Sequence, residues 1–174
     1  MLSGGDLLYN LKPFFDYNRA DKFKDVLSKY TKYIINENKE AYLSIANAQY
    51  YFMKSEFNKS LDELSKINCD NFELKLIMKR LLLMIYFEIG EYELFLNSYD
   101  SYKHFIKNFK FISDLRENQN ESANIFYNLI NDLFKLRQKY DHFTAGNLLN
   151  KITDMKIDHK TWFQNKLKEL KSGE

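Results

Sequence analysis

The sequence predicts an all-α protein, an α-solenoid of about eight or nine helices paired into antiparallel hairpins. Three observations carry that expectation. Apolar residues recur at helical spacing: Tyr92, Phe95, Leu96, Tyr99 and Tyr102 step by 3, 1, 3 and 3, which is one face of a helix. Three similar stretches start at Asp21, Ser55 and Gly90, 34 and 35 residues apart, and a fixed period of that length marks stacked helix-turn-helix units. One proline, five glycines and no Asn-Gly pair leave little material for β-hairpin turns.

A chain of 174 residues fits one domain, and about 150 residues already bury roughly 68–70% of their unfolded surface. With 45% hydrophobic residues and 17% aromatics, such a core closes without disulfides. The unbroken apolar run Leu81–Phe87 is far short of the ~20 residues a bilayer span requires, so no membrane role is expected. The single cysteine, Cys69, cannot pair internally, which fits a reducing cytoplasmic compartment. A net charge of +2 makes no strong field and demands neither nucleic acid nor an anionic surface.

Taken in order, Ser3-Gly4-Gly5 reads as a linker, so residues 1–5 are set outside a single helical domain spanning 6–171. Asp6 caps a short helix that Pro13 should interrupt, since proline removes a donor and crowds the preceding turn. Residues 22–36 form the next helix, carrying Phe23, Val26, Leu27, Tyr30, Tyr33 and Ile34. Residues 39–53 and 57–67 make a second hairpin. Asp70 or Asn71 then caps a helix at 72–89, which the apolar run marks as buried on most sides, Leu82 included. Gly90 ends that helix, because glycine takes the left-handed conformation at no steric cost. A helix at 92–112 follows. Asp114–Glu121 is the least apolar stretch and is expected to be a mobile loop. Helices at 122–139, 143–153 and 159–171 leave the period, as diverged repeats or a cap.

The aligned stretches share a small or polar turn residue, an aromatic two later at Phe23, Phe57 and Tyr92, and an apolar residue nine later. Ala48, Tyr51, Ser60 and Tyr86 match small and aromatic positions of the tetratricopeptide repeat, and residues 20–105 resemble that family. Ser44, Asn47, Lys79, Leu83 and Phe95 depart from its pattern, and the proline expected after each second helix is absent. The resemblance implies a right-handed solenoid whose first helices line a groove for extended peptides or helices. It places Tyr42, Ile45, Gln49, Phe52 and Met53 in that groove, followed by Ile77, Arg80, Met84 and Phe87. For each apolar residue among them, packing against a neighbouring helix is the competing assignment, since helical stripes are usually core.

Nothing in the sequence has the pattern of a catalytic site. His104, His142 and His159 lack paired spacing, and a zinc site needs three or four converging ligands, so no metal or other cofactor is expected. Asp154, Asp158 and His159 are better explained as a capping region. No nucleophile elbow or phosphate-cradling glycine loop is present, so no small-molecule substrate is expected. Asn124, Asn128, Asn131 and Lys135 step by 4, 3 and 4 along one helix face. Asparagine is a poor helix former, so the stripe is either a solvated face or a partner surface. Lysines and tyrosines interleave at Lys29, Tyr30, Lys32 and Tyr33, a combination that RNA-binding solenoids use, although an amphipathic helix also produces it. The expected function is a non-enzymatic scaffold binding a protein or peptide segment, with single-stranded nucleic acid as the second partner class. An exposed solenoid end would also allow a homodimer.

Overall fold

The structure is a computed structural model that describes residues 3–34, 38–109 and 117–172, the side chains at 109 and 117–120 excepted. It is all-α, with no strand among the described residues. The chain divides into two compact units, Met1–Tyr92 and Glu93–Glu174, where one continuous domain was expected.

In the first unit, α1 (Gly4–Asp16) begins three residues into the chain. Ser3 and Asp6 form a capping box: the Asp6 amide donates to Ser3 Oγ at 3.0 Å, and the Ser3 amide donates to Asp6 Oδ2 at 2.9 Å. The same bonds hold the Asp6 carboxyl below its usual range. Ser3–Gly5 are therefore not a linker outside the fold. Gly4 is buried, and a Cβ there would lie 2.1 Å from Cδ2 of Tyr42, so only glycine admits that ring. Nor does Pro13 break the helix: it sits in the last turn, where its missing donor removes only one ladder bond.

The second helix, α2 (Ala20–Tyr30), is shorter than expected. A 3₁₀ turn over Thr31–Tyr33 follows, helped by Thr31 Oγ1 donating to the Leu27 carbonyl at 2.6 Å. Ile34 is then extended and buried, and residues 35–36 of the expected helix lie outside the described residues. Two later helices match expectation to the residue, α3 (Lys39–Met53) and α5 (Phe72–Ile89), while α4 (Phe57–Ser65) between them ends two residues early. The Asn71 side chain caps α5 by accepting from the Leu74 amide at 3.0 Å.

Left-handed residues stand at the turns between paired helices. Ser55 has φ 58° and Gly90 φ 75°, both as the alignment places them, but the first-unit equivalent is Asn18 at φ 51°. Asp21 lies inside α2. The turn-to-turn spacing is thus 37 and 35 residues. Five residues beyond each turn stands a fully buried side chain, Phe23, Ser60 or Phe95. Ser60 meets Ala48 where α3 and α4 approach closely, its hydroxyl donating to the Ala48 carbonyl at 2.7 Å. Replacing Gly90 by Val puts a branched side chain at φ 75° and should cost on the order of 1–2 kcal/mol or more. Urea unfolding measures this, and an unchanged midpoint would contradict the turn geometry.

Helix α3 is the centre of this unit, in contact with α1, α2, α4 and α5, and α1, α3 and α5 pack in succession. That arrangement is solenoid-like within the unit. Along α5 the deep positions are Leu74, Leu76, Leu81, Leu83, Met84, Ile85 and Phe87. Leu82, expected among them, is only half-buried.

The second unit contains α6 (Tyr92–Phe109, its first residue on the boundary), α7 (Glu117–Gln138), α8 (His142–Asp154) and α9 (Lys160–Ser172). Of the expected loop at 114–121, residues 117–121 are the start of α7, while 114–116 lie outside the described residues, as do 110–112 of the expected preceding helix. A run of rings joins α6 to α7: Phe95 stacks on Phe134 with centroids 4.4 Å apart, and Tyr99 on Tyr127 at 4.2 Å. Tyr102 is buried, and its hydroxyl donates to the Ala123 carbonyl at 3.2 Å. Beyond it, Phe126 meets Phe163 of α9 edge-on at 5.7 Å. Helices α7, α8 and α9 each contact the other two.

Burial, followed by the neighbouring Tyr127 hydroxyl, pushes the Tyr99 phenol well above its ordinary range. A tyrosine with an ordinary value of about 10 when unfolded, and a higher one when folded, holds its proton longer in the native state. Its contribution to stability is complete below about pH 10 and is lost as pH rises above that. Melts at about pH 9 and about pH 11 should show an alkaline loss that is smaller in Tyr99→Phe. Equal losses in the two proteins would contradict this assignment.

Candidate functional site

Most of the residues expected to line a groove are interior. Tyr42, Ile45, Gln49, Phe52, Arg80, Met84 and Phe87 are all buried, while Met53 and Ile77 are half-buried. The physical reason is the position of α3: four other helices contact it, and they cover the face that carries Tyr42, Ile45, Gln49 and Phe52. Burial also raises the Tyr42 phenol above its ordinary range, with Glu73 and Cys69 nearby adding to the effect. Tyr42, Ile45, Gln49, Phe52, Arg80, Met84 and Phe87 are core, and the groove assignment is corrected for those seven, while Met53 and Ile77 stay partly accessible.

The stripe on α7 fares differently. Asn128 and Lys135 are exposed, and Asn124 and Asn131 half-buried, so this face reaches the surface. Its last member, Lys135, lines a furrow of about 410 Å³ between α7 and α8. Helix α7 contributes Asp132, Lys135 and Leu136, and Lys139 follows just past its end, the four spaced i, i+3, i+4, i+7. Helix α8 contributes Thr144, Asn147, Leu148 and Lys151 at the same spacing. The turn at 139–141 is short, so the two stripes face each other across one hairpin. Buried Leu136 and Leu148 make the floor, and Lys135, Lys139 and Lys151 stand exposed on the rims.

Of the two acids in the furrow, one is engaged. Asp141 is the N-cap of α8, its Oδ2 accepting from the Thr144 amide at 2.7 Å, and the bonds from Thr144 hold its carboxyl below the usual range. Asp132 lies close enough to Tyr99 to act on that phenol. The three lysines, by contrast, form no ion pair with any described residue. One turn before Asn147, on the same side of α8, Phe143 is 77% exposed. Sequence reasoning found Lys135 alone of these. Matching the two i, i+3, i+4, i+7 stripes across a short turn would have found Lys139, Asn147 and Lys151.

Elsewhere, lysines lie over tyrosine rings in the first unit: Lys24 over Tyr50 at 4.9 Å, Lys32 over Tyr33 at 5.0 Å and Lys29 over Tyr30 at 5.5 Å. The basic and aromatic groups thus share one surface instead of occupying opposite helix faces. Among the described residues, no group of three or more His, Cys, Asp or Glu side chains is placed to hold a metal ion. Ser122 Oγ bonds Asp158 at 3.0 Å, and the His159 ring packs edge-on against Phe126 at 5.9 Å. Cys69 is half-buried. Among the described residues, no helix is long and apolar enough to cross a membrane. No family model, curated protein or solved structure matches this chain.

Proposed function

We propose that the chain is a non-enzymatic interaction module, a tetratricopeptide-like helical repeat that works in the cytosol and binds a protein or peptide segment. The observation that carries this reading is the furrow between α7 and α8. It is concave and apolar at its floor, and its rims are formed by exposed side chains of two rigid helices. At about 410 Å³ it lies within the range of roughly 300–1,000 Å³ usual for binding sites. The succession of α1, α3 and α5 and the left-handed turns at Ser55 and Gly90 support the repeat assignment. Selection of a random peptide library on the immobilised chain tests it: enriched peptides are expected to bind the chain in solution, and a library with none enriched overturns it.

A second reading, single-stranded nucleic acid, is favoured by the lysine–tyrosine pairs on α2 and α3. It requires affinity for an oligonucleotide that falls steeply with added salt. Salt-independent affinity, or none, removes it.

A further inference from the structure

We infer that the α7–α8 furrow is the docking site for a short acidic peptide segment in which carboxylates flank an apolar side chain. The inference rests on the reading of the chain as a segment-binding module and names both its site and its ligand class. Charge complementarity selects the occupant. Lys135, Lys139 and Lys151 line one furrow and form no ion pair with any described residue, and they outnumber its two carboxylates, Asp132 and Asp141, the second of which is bonded as a helix cap. An apolar residue seats on Leu136 and Leu148, so the site asks for an alternation of acidic and apolar side chains.

Length sets the size of the segment. A stripe from i to i+7 rises about 10 Å at 1.5 Å per residue. That matches about three extended residues at 3.3–3.6 Å each. Two carboxylates flanking one apolar residue can therefore reach the lysines at once. Phe143, exposed on α8 next to the furrow residue Thr144, offers an aromatic contact for the next residue of the guest, and aromatic side chains are prominent among binding hot spots.

Fluorescence anisotropy of a labelled peptide alternating glutamate and leucine, titrated with the full chain, tests this. The same peptide with glutamine at every glutamate, and a labelled oligouridylate, are the comparators. The acidic peptide is expected to bind. The glutamine peptide on the wild type, and the acidic peptide on Lys135→Glu/Lys151→Glu, should each bind about tenfold or more weakly. Phe143→Ala should weaken binding by a smaller factor. Both lysines are exposed, so the double variant should keep its helical circular dichroism and melt, with Lys135→Gln/Lys151→Gln as the milder substitute. Equal binding of the glutamine peptide, equal binding by a folded double variant, or binding of oligouridylate in place of the peptide overturns the inference. Library-enriched peptides that bind the double variant as tightly as wild type also overturn it, while leaving the module reading intact. A library with no enriched peptide overturns both.

Discussion

Phe95→Ala is expected to destabilise the second unit by about 3–5 kcal/mol, the largest effect of any single truncation in α6. Phe95 is 1% exposed, stacked on Phe134 at 4.4 Å, and 6.1 Å from Tyr99 in nearly parallel planes. Removing the ring loses its transfer energy and leaves a cavity. It also ends a row of rings that continues through Tyr99 and Tyr127, so its neighbours cannot collapse without breaking their own stacking. Urea unfolding should show a lower midpoint. Leu96, the next residue, is 50% exposed, and Leu96→Ala should change stability by no more than about 0.5 kcal/mol. Similar costs at the two positions would mean that α6 faces another way.

Ile45→Ala is the second, at about 2–5 kcal/mol. Ile45 is 0% exposed on a helix contacted by four others, so its methyl groups pack against neighbours on every side. The two assignments of this residue predict opposite outcomes. If Ile45 lined a groove, the substitution would weaken partner binding and leave the melt unchanged; as core, it lowers the melt and spares the furrow. Thermal melting beside peptide binding separates them.

How much of this was legible in the sequence depended on whether the deciding contacts were local. The bounds of α3 and α5 were readable because each has a strong apolar pattern, and α5 also has an asparagine cap and a terminal glycine. The left-handed turn at Gly90 followed from that glycine, whereas Ser55 was placed at a turn only by its alignment with Gly90. Ser3–Gly5 misled because a glycine pair resembles a linker, and the ring that makes glycine necessary at position 4 belongs to Tyr42, on another helix. The period slipped at Asp21 because the first two turns lie 37 residues apart, and the left-handed residue of the first is an asparagine instead of a glycine.

The groove failed for a related reason. Helical phase shows which residues share a face, but not how many helices surround it, and α3 has neighbours on both its stripes. Asn124, Asn128, Asn131 and Lys135 lie on a half-buried to exposed face, and of them Lys135 lines the α7–α8 furrow. That feature depends on two helices at once. Lys139, Asn147 and Lys151 are unremarked when each helix is read alone, and they line one furrow only when α8 folds back along α7.

Amide chemical-shift mapping of the isotopically labelled chain, titrated with the acidic peptide, is the most direct test of where this protein meets a partner. The account predicts perturbations concentrated on the facing stripes of α7 and α8, from 132 to 151. Perturbations centred on α3 and α5, or none at saturating peptide, would contradict it.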